Sequence, residues 1–182
     1  MIKFKWETEF KQTEIGEVPM EWEVKRIGYV AKINEEYLNK NYPYKVIEYI
    51  DINSVEEGFI LEKKEIPLDS APTRAKRVVR DGDILLSTVR PNLRHYVFVK
   101  KAKPNTVAST GFAIVRAKNV NSHFLYYYTT TVFVTDYLTQ IAESHTSAYP
   151  SFTPDVVENL KTPYPPPFEQ SRIAAVLSWF DD

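Results

Sequence analysis

The sequence predicts an α+β fold: a mixed, largely antiparallel twisted sheet with a few helices, followed by the start of a long C-terminal helix. Three observations carry this expectation. Short runs rich in β-branched and aromatic residues recur at 44–50, 58–61, 84–89, 96–100 and 111–116, the pattern of strands. The stretches joining them read as loops, not as the long crossover helices that parallel pairing requires. Helical periodicity is confined to about 122–142, to a short segment opening at Pro154, and to the C-terminus.

Taken in order, residues 1–15 read as a polar arm that mixes Lys, Glu, Thr and Gln without sustained periodicity and needs a partner to become ordered. After Gly16 and Pro19, residues 22–27 read as a strand and 28–33 as a short helix or turn. The run 44–50 is a strand, and 58–61 is expected as its hairpin partner. In the longest helix, Phe124, Leu125, Tyr128, Val132, Leu138 and Ile141 repeat every three to four residues, and the threonines at 129–131 favour a kink or break. Thr153 is placed as N-cap of the next helix, with Val156, Val157 and Leu160 facing inward. Pro165, Pro166 and Pro167 then fix φ and remove amide donors, so a helix begins near Phe168 with Glu169 favoured in its first turn. Ile173, Val176, Leu177 and Phe180 recur on one face of it. A helix of this length is marginal alone, so that face packs on its own domain or awaits a partner.

A length of 182 residues with 43% hydrophobic and 14% aromatic content supports one domain with a proper core. No run of about 18 apolar residues occurs, and the charged N-terminus is no signal peptide, so a soluble, cytoplasmic protein is expected. The absence of cysteine excludes disulfides, thiol catalysis and thiolate metal sites. Only five glycines stand against twelve prolines, and neither Gly-x-Gly-x-x-Gly nor Gly-Lys-Ser/Thr is present, so no nucleotide or S-adenosylmethionine cofactor is expected. His95, His123 and His145 are isolated and lack zinc-ligand spacing, so no metal is expected either.

The net charge of −1 hides a strong asymmetry. Between 73 and 103 there are nine Lys or Arg against Asp81 and Asp83, a local surplus of +7 that leaves −8 for the remainder. Such a surplus suits phosphate contact, and it equally suits a solvated face whose lysines guard a sheet edge.

Three segments carry a resemblance. Pro165-Pro-Pro-Phe-Glu-Gln-Ser-Arg-Ile-Ala-Ala-Val-Leu177 resembles the boundary motif that closes each target recognition domain in the specificity subunits of type I restriction-modification systems. Gly16-Glu-Val-Pro19 with Trp22-Glu-Val-Lys-Arg-Ile27 resembles the opening pattern of those domains, and Gly82-Asp-Ile-Leu resembles their central strand. Each piece alone is weak; three in order, from about residue 13 to the C-terminus, are specific. The resemblance implies a non-catalytic domain at 16–164 that reads one half of a bipartite double-stranded DNA site. It also implies that residues 165–182 begin a spacer and dimerisation helix of coiled-coil type. Its partners would be methyltransferase (modification) and restriction subunits, and a second recognition domain or a second copy met through Ile173, Val176, Leu177 and Phe180. The chain would then be a half-length subunit or a piece of a two-domain one.

Base readout needs Arg for guanine and Asn or Gln for adenine on loops that reach the major groove, with Lys and hydroxyls on phosphates. The first candidate loop supplies Ser87, Arg90, Asn92, Arg94 and His95, stiffened by Pro91. The second, after the long helix, supplies Ser144, His145, Thr146, Ser147 and Tyr149; many relatives by resemblance carry glycine where Ser147 stands. A third, basic stretch offers Thr73, Arg74, Lys76 and Arg77 for phosphates. The same residues also make hairpin turns, Ser/Thr caps and solvated surface. Other readings are a protein-interaction module without base readout, and a metal-dependent nuclease built on Asp51, Glu62 and Lys64, a loose pattern in a densely charged stretch. Asn41-Tyr-Pro-Tyr44 departs from the Asn-Pro-Pro-Tyr site of amino-methyltransferases at its second position and reads as a turn before a strand. Pro163-Tyr-Pro-Pro166 matches a Pro-x-x-Pro ligand only formally.

Overall fold

The computed structural model describes residues 9–144 and 149–180. Strands β1 (Phe10–Thr13) and β2 (Gly16–Pro19) form a hairpin in which Gly16 takes φ +101° at the turn. β3 (Glu23–Arg26) runs into the one-turn helix α1 (Ile27–Val30) and β4 (Ala31–Ile33). β5 (Val46–Ile50) is followed by a 3₁₀ turn at Ile52–Ser54, the short pair β6 (Val55–Glu56) and β7 (Phe59–Ile60), and β8 (Lys64–Pro67). Then come β9 (Ala75–Val78), β10 (Ile84–Ser87), a 3₁₀ turn at Pro91–Leu93, β11 (Tyr96–Phe98), β12 (Thr106–Ser109) and β13 (Phe112–Ala117). Helices α2 (Ser122–Thr129), α3 (Val132–Ser144) and α4 (Pro154–Asn159), strand β14 (Lys161–Tyr164) and helix α5 (Pro167–Ser178) complete the described chain.

Two four-stranded sheets form the centre, in the orders β11-β10-β13-β4 and β8-β5-β12-β9. Every pair is antiparallel except β5 with β12, so the fold is α+β with a mixed, mainly antiparallel sheet arrangement. The first sheet is buried on both faces, which explains why its strands read as unbroken apolar runs. Ile84 and Leu86 of β10, with Ala113 and Val115 of β13, pack with Leu125, Val134, Leu138 and Val157 of the helices. The intervening Leu85, Phe112 and Ile114 pack with Ile50, Val79 and Ala108 of the second sheet. Strand period two thus produces three layers: helices, sheet, sheet. Truncating fully buried Leu85 to Ala would cost about 2–5 kcal/mol.

The Gly-Asp-Ile-Leu segment holds these layers at one end. Gly82 adopts φ +82°, which admits a tight turn, and Asp83, fully buried, accepts from the Arg80 amide at 2.7 Å. Its carboxylate is then gripped in bidentate fashion by Arg116 of β13, through Nε and Nη2 at 2.8 Å each. Hydrogen bonding to Asp83 raises the Arg116 pKa, and loss of the carboxylate would leave a partly buried guanidinium short of its main partner.

The two ends of the domain are clasped. β3 pairs antiparallel with β14, from Glu23↔Tyr164 to Arg26↔Lys161. Trp22 Nε1 donates to Glu169 Oε2 at 2.9 Å, while buried Gln170 donates to the Pro165 carbonyl at 2.7 Å and accepts from the Asn121 amide at 2.8 Å. The opening and closing segments of the sequence therefore touch, and the Glu169-Gln170 step has a physical task at this joint.

Several expectations change. Residues 10–13 are not an arm awaiting order; they are paired to β2. The hairpin partner of β5 is β8, in the register Ile47↔Ile66, and β7 pairs with β6 instead. Asp51 decides this: its carboxylate accepts from the Asn53 amide and, with Ser54, forms a capping box that turns the chain away before 58–61 is reached. The long helix does break at the threonines, into α2 and α3, with Asn121 capping α2 by accepting from the Phe124 amide. Thr153 precedes α4 as expected, although its side chain makes no cap hydrogen bond.

Candidate nucleic-acid interface

The loop 87–95, the residues 73–76 and the described end of the second segment, 149–152, lie at one end of the paired sheets, by the C-terminal ends of β10 and β12 and the N-terminal ends of β9 and β13. Backbone hydrogen bonds connect them in sequence along this rim. The Thr110 amide donates to the Arg74 carbonyl at 2.7 Å, and the Gly111 carbonyl accepts from the Thr88 amide at 2.8 Å and the Thr88 hydroxyl at 2.9 Å. The Thr88 carbonyl in turn accepts from the Phe152 amide at 3.0 Å, and the Arg90 amide donates to the Pro150 carbonyl at 2.8 Å. An isolated bridge pairs Val89 with Ser151. The loop 87–95 and the segment 149–152, far apart in sequence, are thereby one piece of backbone.

The loop 87–95 is built as a bracket. Arg90 and Arg94, at φ +47° and +56°, flank the 3₁₀ turn Pro91–Leu93 in left-handed conformation. Left-handed non-glycine residues cost energy and concentrate where a loop must hold a fixed shape. Pro91 is buried at the base; Asn92 and Leu93 are exposed at the tip. The Arg90 side chain is exposed and lies over the Tyr149 ring at 5.1 Å. Among the described residues its guanidinium has no ion pair. Arg94 differs: Nη2 donates to the Tyr96 hydroxyl at 3.0 Å and Nη1 lies 3.7 Å from Glu57. The Tyr96 hydrogen bond raises the Arg94 pKa and commits part of its donor fork to the protein.

On the third segment Thr73, Arg74 and Lys76 are exposed, and Tyr49, which packs with Ala75 and Val107, has its pKa pushed up to about 12 by burial. The described residues thus bring Thr73, Arg74, Arg90, Asn92 and Tyr149 to one rim, with Lys76 on the adjoining strand.

The family described as "Type I restriction modification DNA specificity domain" matches residues 19–182. The chain belongs to this family. The type I restriction enzyme MjaIX specificity subunit of Methanocaldococcus jannaschii is 34% identical over 200 residues, covering all of this chain and 43% of the relative. The crystal structure of the HsdS subunit from Thermoanaerobacter tengcongensis superposes with a TM-score of 0.78 at 32% identity, over 90% of this chain and 42% of that one. A structure reported for complex assembly and conformational transition of the type I R-M system superposes at 0.79 and 29% identity, over 90% and 43%. The chain spans less than half the length of these proteins.

Within this type I specificity domain, other expected site residues serve the fold. Ser87 is buried, and its hydroxyl donates to the Val89 carbonyl at 2.7 Å, closing the turn. His95 is half-buried with Nδ1 against the Val55 carbonyl. Arg77 is buried, stacks on Tyr37 at 4.6 Å, and does not reach the surface as a phosphate anchor would. For Ser87 and Arg77 this is a correction: their polarity was visible in sequence, their burial was not. Ser144 ends α3 and donates to the Ile141 carbonyl at 2.7 Å. His145, Thr146 and Ser147 lie outside the described residues. The rim also contains residues that sequence reasoning passed over, Thr88, Thr110 and Gly111. A Cβ on Gly111 would stand 2.2 Å from Ile52 Cδ1, so glycine there lets the Ile52–Ser54 turn pack under the rim. The one available signal was the Ser-Thr-Gly step before an apolar run.

The specificity-domain reading displaces the nuclease alternative. Asp51 is committed to its capping box and accepts the Tyr49 hydroxyl at 2.9 Å, while Glu62 and Lys64 pair with each other at 3.4 Å on the surface. Among the described residues no three His, Asp or Glu side chains converge as a metal site would need, and no helix is long and apolar enough to cross a membrane.

On α5, Gln170 and Ala174 are the buried positions, packed toward α2. Ile173 is half-buried, whereas Val176, Leu177 and Phe180 are exposed. The helix is therefore anchored to its own domain by a narrow stripe, and most of the apolar face expected for a partner is left uncovered.

Proposed function

We propose that this chain is a non-catalytic reader of double-stranded DNA within a type I restriction-modification specificity subunit. In this reading residues 16–164 recognise one half of a bipartite site, and residues 165–182 begin the helix that spaces two such domains. The observation that carries the reading is the joining of loops 87–95 and 149–152 into one rim that presents Arg90, Asn92 and Tyr149 beside Arg74, in a chain of the DNA specificity domain family. Arg90 supplies a bidentate donor for guanine and Asn92 a donor and acceptor for adenine, while Thr73, Arg74 and Lys76 hold phosphates. The segment 145–147 adjoins this rim in sequence and would contribute hydroxyls and a histidine to the same interface.

Methyltransferase and restriction subunits are the partners this reading assigns, with chemistry and cofactors carried on them. Val176, Leu177 and Phe180, with Ile173 at their border, would cover the helix of a second domain or a second copy. The protein would act in the cytoplasm. Selection from a randomised duplex pool at two salt concentrations, followed by sequencing, tests the proposal. Enrichment of one short half-site supports it; binding without enrichment, or a binding constant indifferent to salt, overturns it.

A further inference from the structure

Arg90 differs from the other well-placed arginines in how its guanidinium is held. Arg80 spends its fork on Glu36 through two hydrogen bonds at 3.2 and 2.6 Å, Arg116 spends its own on Asp83, and Arg94 is shared between Tyr96 and Glu57. The Arg90 guanidinium carbon lies over the ring of Tyr149 at 5.1 Å, and its backbone is held through the amide bond to Pro150. A guanidinium seated over a ring, with no carboxylate claiming its fork among the described residues, keeps donors for the paired O6 and N7 acceptors of guanine. The left-handed backbone at Arg90 fixes the Cα direction, and the bridge Val89↔Ser151 fixes the distance between the two segments.

We propose that Tyr149 is a positioning residue for Arg90, and that the two act as one unit in reading a single base pair. This rests on the DNA-reading function proposed above. Tyr149 need not contact DNA: its ring restricts the rotamers of a long, flexible side chain, so that less freedom is lost when the guanine contact forms. The contact with the guanidinium is made by the ring, which phenylalanine keeps.

The full 182-residue chain and the variants Arg90→Ala, Tyr149→Ala, Tyr149→Phe and the double Arg90→Ala/Tyr149→Ala are each selected against a randomised duplex pool, with thermal unfolding of each variant measured alongside. Arg90→Ala is expected to flatten the preference at one base-pair position. Tyr149→Ala is expected to weaken the preference at that same position about three- to five-fold, the size of an exposed cation–π contact, while other positions and the salt slope stay unchanged. Tyr149→Phe keeps the parental profile, and the double variant is no worse than Arg90→Ala. An unchanged profile for Tyr149→Ala, a loss spread evenly over all positions, or a Tyr149→Phe variant as impaired as Tyr149→Ala overturns the pairing. If Arg90→Ala itself leaves every preference intact, the assignment of Arg90 as a base reader fails first, which separates the two ideas.

Discussion

The two ends of the paired sheets both carry cations, and the arginines nearest each turn are held differently. At the end formed by the Arg80–Asp83 turn, Arg80 is paired with Glu36 at 2.6 Å, Arg116 with Asp83, Glu35 and Glu36, Lys118 with Glu35 at 3.1 Å, and Lys103 with Glu48 and Glu65 at 3.0 and 3.4 Å. At the rim, Arg74 and Arg90, with Lys76 on the strand beside them, have no ion pair among the described residues. Within 73–103, Arg80 and Lys103 are neutralised by carboxylates and Arg94 is tied to Glu57, whereas Arg74, Lys76 and Arg90 at the rim, and Lys100 and Lys101 at the other end, face outward with no ion pair among the described residues. Net charge along a segment says how many cations exist; only the pairing says which of them can meet a phosphate.

The largest effect is expected where the paired end is broken. Asp83→Ala removes the partner of Arg116 and the acceptor of the Arg80 amide, and should destabilise the domain by about 3–5 kcal/mol in denaturant unfolding. The comparison sharpens if the folded fraction of that variant keeps its base preferences, and breaks if those change. Next in size, Arg90→Ala should cost about 1–3 kcal/mol of discrimination between half-site and random DNA without altering the unfolding midpoint. Lys76→Ala should weaken all DNA about equally and shallow the salt slope by about one unit, a result read from affinities at several salt concentrations. Smallest of all, Lys103→Ala should lower the unfolding midpoint only slightly and leave DNA affinity unchanged, because Lys63 and Thr106 still bind the buried Glu48 carboxylate.

Acid offers a further separation of the two ends. Hydrogen bonds from Arg80 and Arg116 hold the Glu36 carboxyl below its ordinary range, and for Glu48 the pull of Lys103, Lys63 and Thr106 outweighs the upward push of burial. A carboxyl whose folded pKa is depressed contributes stability that is complete above its unfolded value and is lost as pH falls through the folded one. Stability should therefore drop as pH falls below the usual glutamate range, and Glu36→Gln should lose part of that slope, in unfolding curves collected across acid pH.

Much of the fold was legible because burial on both faces writes a plain signal. Strands β10 and β13 are continuous apolar runs, and the threonines after α2 broke the helix as their poor propensity requires. Strand β12, Thr106–Ser109, is just as buried yet half polar, and β14 contains Pro163, so neither reads as a strand without its neighbours. The pairing of β5 was misread because adjacency in sequence favours a hairpin, whereas the Asp51 capping box redirects the chain. At the candidate site, composition marked both loops, but nothing in either segment indicates that Arg90 and Pro150 share a hydrogen bond. Residue type likewise cannot distinguish Arg90, exposed over the Tyr149 ring, from Arg94, held by its fork, or from Arg77, buried under Tyr37. Those differences arise from long-range backbone contacts, which sequence patterns of period two or 3.6 do not encode.

The most direct test compares two triple variants, Arg74→Ala/Lys76→Ala/Arg90→Ala at the rim and Lys100→Ala/Lys101→Ala/Lys103→Ala at the opposite end, by the slope of log K against log salt for duplex DNA. The account predicts that the rim variant loses about two to three units of slope together with its half-site preference, while the opposite variant keeps both. A loss of slope confined to the opposite variant, with the rim variant unchanged, would contradict the assignment of the rim as the DNA-reading face.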